Sequence, residues 1–137
     1  MTPRIATLGA VVLVLAGCGG SDESASQEGE GKVVTIAGVS ANDHGTKDVS
    51  GEAELELDDF YFEPTVLRGD PGSQVTLELK NEGEEEHNFS IDAQNVDEDV
   101  APGESATVKI KIPSSGEISF YCSYHKDRGM AGALAAK

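Results

Sequence analysis

The chain has 137 residues, with 25 acidic against ten basic side chains, so its formal net charge is −15. This length suits one small domain with extensions and excludes a multidomain enzyme. So negative a surface argues against binding to nucleic acid and against electrostatic docking on anionic lipid, because both need cations placed on phosphates. The two cysteines, Cys18 and Cys122, are too few for a disulfide framework.

The first 17 residues have the shape of an export signal, with Arg4 near the start, a short apolar stretch and small residues before Cys18. The apolar run is shorter than the ~20 residues that span a bilayer. Leu15-Ala16-Gly17-Cys18 resembles the lipobox of bacterial lipoproteins, which implies cleavage before Cys18 and a diacylglyceryl group on its sulfur. We therefore expect an exported protein, lipid-anchored on the extracytoplasmic side of the bacterial cell membrane. The alternative is an ordinary secretory signal, with Cys18 free or paired with Cys122.

Residues 18–51 are expected to be the lipid-anchor cysteine and a flexible acidic tether. Their first part is small, polar and acidic, and such a composition cannot bury enough apolar surface to fold. Lys32 to Val39 has the composition of a single edge strand. We place the start of the folded domain at residue 52, where a regular apolar pattern begins.

From residue 52 onward apolar and polar residues alternate, which is typical of half-buried strands. Turn formers separate the alternating stretches, and no sustained 3.6-residue apolar pattern follows the signal. The stretch from Asp92 to Glu104 is predicted to be a polar connection. Residues 52–137 are therefore predicted to form an all-β sandwich or barrel. The inward positions are Ala53, Leu55 and Leu57; Val75, Leu77 and Leu79; Phe89 and Ile91; Ala106, Val108, Ile110 and Ile112; and Ile118 and Phe120.

Four residues that can bind a metal are predicted to meet at one end of this domain. His87 begins a strand and Cys122 ends another, and each shares the parity of inward apolar neighbours. If the two strands are antiparallel, both residues reach the same end. His125 and Met130 follow Cys122 at a spacing that suits a loop folding back, with Gly129 helping it to bend. A thiolate, two imidazoles and a thioether are the ligands of blue-copper electron-transfer sites, whereas structural zinc sites seldom use Met.

The loop from Ser119 to Met130, SFYCSYHKDRGM, resembles the copper loop of plastocyanin-like cupredoxins, and His87-Asn88-Phe89 resembles their upstream copper histidine. The resemblance covers roughly residues 53–137. It implies a cupredoxin-like Greek-key β-sandwich that binds one copper ion, Cu(I) or Cu(II), through His87, Cys122, His125 and, axially, Met130. It also implies that Asn88 hydrogen-bonds near the thiolate and tunes the reduction potential.

The chain departs from the family pattern at two places in this loop. Plastocyanins usually carry Pro just before the loop histidine, where this chain has Tyr124. The stretch Lys126-Asp127-Arg128 is charged, whereas its counterpart is small and neutral. The four metal-binding residues are unaffected by either change, but the surface that meets a partner differs.

We expect a mononuclear type 1 (blue) copper protein, not an enzyme, that carries single electrons between redox partners at the outer face of the cell membrane. The sequence excludes other kinds of copper protein. A dinuclear copper centre needs two loop cysteines, and this loop has one. Multicopper oxidases need several His-x-His pairs, of which the sequence has none, and copper catalysis needs an open coordination position that nothing in the loop supplies. The resemblance implies that the edge of His125 passes electrons, with Tyr121 as a second route.

The expected partner is a redox protein, such as a basic c-type cytochrome or a terminal oxidase. The acidic run Glu82, Glu84, Glu85 and Glu86 precedes His87 directly and would steer a basic partner to the copper end. We expect a monomer that contacts the membrane through its lipid anchor only and binds no nucleic acid.

Two alternative functions stay open at this point. The first is a copper-binding or copper-delivery lipoprotein without a redox cycle of its own. The second is an adhesion or sensing module that keeps the fold with an empty site. Taken singly, an inward histidine, a buried cysteine and a methionine are ordinary core residues, so the prediction of copper depends on their conjunction.

Overall fold

The computed structural model describes residues 31–137, so the predicted export signal, Cys18 and the first part of the predicted tether lie outside the described residues. The described chain consists mainly of strands, with two short 3₁₀ turns at Asp92–Gln94 and Lys126–Arg128. No helix within residues 31–137 is long and apolar enough to cross a membrane. The strands are β1 (Lys32–Ile36), β2 (Val39–Asp43), β3 (Thr46–Asp48), β4 (Gly51–Asp58), β5 (Tyr61–Glu63), β6 (Val66–Gly69), β7 (Gln74–Asn81), β8 (His87–Ile91), β9 (Val96–Val100), β10 (Ser105–Lys111), β11 (Glu117–Tyr121) and β12 (Ala131–Ala136).

Two sheets form the body of the domain. One has four strands in the order β10-β7-β4-β5, and the other has six in the order β3-β6-β12-β11-β8-β9. Strands β4 and β7 pair in parallel, as do β6 and its neighbours β3 and β12, while the remaining pairs are antiparallel. Strands β1 and β2 form a separate antiparallel hairpin. This arrangement confirms the predicted all-β sandwich.

The hydrophobic core lies between the two sheets, where the alternation of the sequence directs it. Leu55 and Leu57 of β4 and Leu77 and Leu79 of β7 are fully buried. Three aromatic rings join the sheets at the centre. The centroid of Phe62 lies 6.1 Å from that of Phe89 and 5.0 Å from that of Phe120. Each such side chain stabilises the fold by about 1.5–3 kcal/mol when it is fully buried.

Residues 32–51 differ from the expected tether, because they form strands that pack on the domain. One contact that joins the β1–β2 hairpin to the rest of the chain is made by the backbone N–H of Asn42, which donates to the carbonyl of Gly129 at 2.9 Å. Strand β3 extends the six-stranded sheet, and Val49 joins the core. The boundary expected at residue 52 therefore lies inside the folded unit. The sequence predicted an edge strand over Lys32 to Val39 but not its packing on the domain, because β1 leaves the apolar side chain of Val33 65% exposed.

A further strand lies where a polar connection was expected. Strand β9 is acidic, with sequence VDEDV, and pairs with β8 along its whole length. It is one of the two edge strands of the six-stranded sheet. Charged side chains on an edge strand discourage pairing with other chains. The acidic composition of β9 therefore suits its position at the edge, although the same composition hides the strand pattern in the sequence.

Candidate metal centre

The antiparallel pairing of β8 and β11 brings His87 and Cys122 to the same end of the sandwich. Tyr121, the last residue of β11, pairs with Ser90 of β8. Nδ1 of His87 lies 3.2 Å from Nδ1 of His125, and Sγ of Cys122 lies 3.5 Å from Nδ1 of His125. One ligand atom from each of the three residues lies within 4.8 Å of the other two. One thiol and two imidazoles thus converge on a single point.

The loop after β11 folds back on itself, as its spacing predicts. The carbonyl of Cys122 accepts hydrogen bonds from the amides of His125, at 3.2 Å, and Lys126, at 2.8 Å. Gly129 then turns the chain with φ of +85°, a conformation that glycine adopts without strain. The carbonyl of Met130 accepts from the amide of Cys122 at 3.0 Å. The Met130 side chain is fully buried and belongs to the same core cluster as Cys122.

Asn88 links the cysteine to the strand that carries His87. Its backbone N–H donates to Sγ of Cys122 at 3.3 Å, and its side-chain oxygen accepts from the amide of Ser123 at 3.2 Å. Its side-chain amide donates to the carboxylates of Asp97, at 2.6 Å, and Asp99, at 2.9 Å. These contacts fix both the sulfur and the loop, which is the arrangement expected of a residue that adjusts a metal centre from outside it.

The outer nitrogen of each imidazole meets a carboxylate. Nε2 of His87 lies 2.9 Å from Asp59, and Nε2 of His125 lies 2.8 Å from Glu85. The His87 side chain has no exposed surface, whereas that of His125 is 12% exposed. Burial lowers the pKa of His87, although the hydrogen bond and charge of Asp59 oppose the change. The neutral ring that results is the form that binds metals.

The pKa of Asp59 reflects two opposing causes. Burial alone would raise it, but hydrogen bonds from the backbone N–H groups of Glu84 and Glu85, together with His87, lower the pKa below its ordinary value. Asp59 is therefore ionised at neutral pH and can only accept hydrogen bonds.

Phe60 packs its ring against His125 and is itself contacted by Arg128 and Asn42. The Phe60 ring centroid lies 4.9 Å from that of His125, and the guanidinium of Arg128 lies 3.6 Å from the Phe60 centroid. The side-chain amide of Asn42 donates to the carbonyls of Phe60, at 2.9 Å, and Arg128, at 3.0 Å. Sequence reasoning missed Asn42, Asp59 and Phe60 as site residues, because each reaches the centre through contacts distant in the chain.

The chemistry of this centre fits copper. A buried sulfur and two imidazoles match the preference of copper for soft and borderline donors. The sulfur comes from Cys122, which forms no disulfide within the described residues. Asn88 N–H is aimed at the sulfur, where a thiolate would accept it, so the surroundings also suit an ionised ligand.

Comparison with known proteins places this centre in context. A family model described as a cupredoxin-like domain matches residues 12–135. No curated protein matches the chain by sequence. Many solved structures share its fold. Those described next are each at most 20% identical to this chain in sequence.

Auracyanin from Roseiflexus castenholzii, solved in a dithionite-reduced form, aligns with a TM-score of 0.56 and 19% identity, over 64% of this chain and 98% of its own. Auracyanin A of Chloroflexus aurantiacus, a blue copper protein, aligns with a TM-score of 0.51 and 20% identity, over 64% of this chain and all of its own. A chain of a heme-copper terminal oxidase dimer aligns with a TM-score of 0.54 and 20% identity, over 64% of this chain. The match spans 65% of that oxidase chain, so the likeness extends over less than two thirds of its length.

The family match and the cluster of His87, Cys122 and His125 within ligand distance together support one copper ion at this centre. The family model covers most of the chain, and the sandwich, with its metal-binding residues at one end, agrees with it. The chain therefore belongs to the cupredoxin-like domain family.

Proposed function

We propose that this protein is a mononuclear type 1 copper protein that carries single electrons between redox partners and catalyses no reaction of its own. His87, Cys122, His125 and Met130 would hold the copper. The observation that carries the proposal is that one ligand atom from each of His87, Cys122 and His125 lies within 4.8 Å of the other two. Copper bound there would supply a one-electron couple between Cu(II) and Cu(I).

The protein's part in electron transfer is to hold the ligands still. Strands β8 and β11 fix His87 and Cys122, and the backbone hydrogen bonds between Cys122 and Met130 fix the loop. The N–H of Asn88 stabilises negative charge on the sulfur and so tunes the reduction potential. Since the ligand atoms already lie near one another, little motion accompanies a change of charge.

His125 is the proposed exit for electrons. Of the two imidazoles it is the one with exposed surface, and a carboxylate oxygen of Glu85 lies 2.8 Å from its outer nitrogen. Tyr121, beside Cys122, is a second route, although its hydroxyl is held by Asp92 at 2.6 Å. A partner that docks over His125 would therefore meet the Glu85 carboxylate first.

We propose that the partner is a basic redox protein, such as a c-type cytochrome or a terminal oxidase, met by a monomer of this chain. Glu82, Glu84, Glu85 and Glu86 are exposed and lie in the loop that enters β8 at the copper end. Glu86→Gln should slow association with a basic cytochrome more than Glu117→Gln, which removes the same charge at the opposite end of β11. The effect of each substitution on the association rate should shrink at high salt. Equal rates for the two variants would remove the steering role.

We also propose that Cys18 carries a lipid and anchors the protein on the outer face of the cell membrane. The support is the sequence from Leu15 to Cys18, which resembles a lipobox. The wild type should fractionate with membranes, and a Cys18→Ala variant should not. Equal fractionation of the two would contradict lipidation at this residue.

The electron-carrier function is tested by copper binding and voltammetry on the purified protein. We expect one equivalent of Cu(II) to give an intense blue colour, reversible one-electron reduction, and no colour in Cys122→Ser. Copper that binds but passes rapidly to a chelator, without a reversible redox wave, would indicate copper delivery instead. A colourless wild type would contradict the proposal.

A further inference from the structure

Asp59 lies outside the set of copper-binding residues, yet it contacts one of them directly. Its Oδ1 is 2.9 Å from Nε2 of His87, the nitrogen that faces away from Cys122 and His125. The His87 side chain has no exposed surface and that of Asp59 is 28% exposed, so water screens this pair only partly.

The Asp59 carboxylate is itself fixed in place. The backbone N–H of Glu84 donates to its two oxygens, at 3.1 and 3.0 Å, and the N–H of Glu85 donates to Oδ1 at 3.3 Å. The loop that supplies these donors is held from inside by Asn81, whose side-chain amide donates to the carbonyl of Glu85 at 2.8 Å. The carboxylate therefore does not depend on His87 for its position.

Gly83 makes the approach of Asp59 to His87 possible. A Cβ atom at this position would lie 2.4 Å from Oδ1 of Asp59 and 2.7 Å from Nε2 of His87. Any residue other than glycine would thus push the two groups apart. The absence of a side chain here leaves room for this one hydrogen bond.

We propose that Asp59 is a positioning residue that sets the tautomer and orientation of His87 for metal binding, an inference that rests on the proposed copper function. An ionised carboxylate only accepts, so Nε2 must carry the ring hydrogen and Nδ1 must present its lone pair toward Cys122 and His125. The same contact prevents rotation of the ring and makes the imidazole a stronger ligand. The negative charge also favours Cu(II) over Cu(I), which lowers the reduction potential.

The matching contact on the other imidazole does not have these features. Glu85 meets Nε2 of His125 at 2.8 Å, but its side chain is 53% exposed and therefore well screened. The two carboxylates thus differ in role, with Asp59 fixing a buried ligand and Glu85 standing at the surface.

The test compares Asp59→Ala, Asp59→Asn and Gly83→Ala with Glu84→Gln, a control that removes one nearby charge without touching either imidazole. In the copper-free wild type, at mildly alkaline pH, nitrogen NMR should show His87 protonated at Nε2. In Asp59→Ala the two tautomers should mix. Copper affinity should fall by about 10- to 100-fold in Asp59→Ala and in Gly83→Ala. Asp59→Asn should raise the reduction potential more than Glu84→Gln.

The outcomes separate this inference from the proposed function. A folded wild type that binds no copper would contradict the proposed function, and the tautomer of His87 would still decide the role of Asp59. If His87 carries its hydrogen on Nδ1 in the copper-free wild type, the inference is wrong. It is also wrong if Asp59→Ala binds copper as tightly as Glu84→Gln.

Discussion

Phe60 adopts a backbone conformation that few residues other than glycine accept, with φ of +91°, directly beside the metal centre. Such a conformation costs about 1–3 kcal/mol and persists only where its surroundings hold it. Here the surroundings are the ring contacts to His125 and Arg128 and the hydrogen bond that Asn42 donates to the Phe60 carbonyl. The strained backbone therefore holds an aromatic ring against the more exposed of the two imidazoles.

Asn42 should matter more to stability than its place in a peripheral hairpin suggests. Asn42→Ala removes the donor to the carbonyls of Phe60 and Arg128. Leaving these acceptors without a partner should lower the free energy of unfolding by about 1–3 kcal/mol, measured by urea denaturation. Ser40→Ala, an exposed change in the same strand, is the control. Equal urea midpoints for the two variants would show that the hairpin does not support the loop.

These site residues illustrate what a sequence pattern conveys and what it omits. His87 and Cys122 could be predicted because strand parity and the Cys-x2-His-x4-Met spacing are local signals. Asn42 and Asp59 carry no such signal. They meet the centre across separations of 86 residues, from Asn42 to Arg128, and 28 residues, from Asp59 to His87. Only the packed fold brings them there.

At the level of elements, the strands with alternating patterns were predictable, and those with one-sided or small-residue composition were not. Of the predicted core positions of β4 and β7, Ala53 is partly buried and the others are fully buried. Strand β12 consists of alanine, glycine and leucine, residues with little preference for strands on average. The structure explains its composition, since a Cβ at Gly132 would lie 2.2 Å from the carbonyl oxygen of Thr65 and 2.5 Å from the Phe120 ring. Close packing at the sheet centre requires small residues.

Strand β3 is joined to β6 by an ion pair whose contribution depends on pH. Arg68 donates to Asp48 at 2.7 Å, and this hydrogen bond lowers the pKa of the Asp48 carboxyl below its ordinary value of 3.8. A carboxyl with a lowered folded-state pKa contributes stability above its unfolded-state pKa and loses it as pH falls through the folded-state pKa. The wild type should therefore be more stable than Asp48→Asn at neutral pH, and the gap should close below pH 3.8.

Urea midpoints at neutral pH and below the ordinary aspartate pKa measure this gap. Because both side chains are exposed, the difference should be small and should shrink with added salt. If the stability gap between the wild type and Asp48→Asn widened on acidification, this would contradict a lowered pKa for Asp48 in the folded state.

For the whole molecule, the chain from residue 31 onward behaves as one folded unit. The β1–β2 hairpin covers the copper loop through Asn42, and β3 and Val49 complete the six-stranded sheet and the core. The sequence predicted this sandwich correctly but placed its boundary too late. Alternation marks strands that bury one face, whereas β1 leaves Val33 exposed and β2 is joined to the domain by the polar side chain of Asn42.

A truncation tests whether the early strands belong to the fold. A fragment of residues 52–137 should unfold at lower urea concentration than a fragment of residues 31–137, because it lacks Asn42, β3 and the buried Val49. Its copper loop should also exchange amide hydrogens faster, since the carbonyls of Arg128 and Gly129 lose their donors. Identical urea midpoints and exchange rates would show that residues 31–51 are dispensable, as a tether would be.

The central claim is that His87, Cys122 and His125 bind one copper ion together, and X-ray absorption at the copper edge tests it most directly. On the full chain loaded with one equivalent of Cu(II), we expect one short copper–sulfur distance and two imidazole nitrogens. The short sulfur distance should disappear in Cys122→Ser, and one imidazole should disappear in His87→Ala. A wild-type spectrum with only oxygen and nitrogen neighbours would contradict the account.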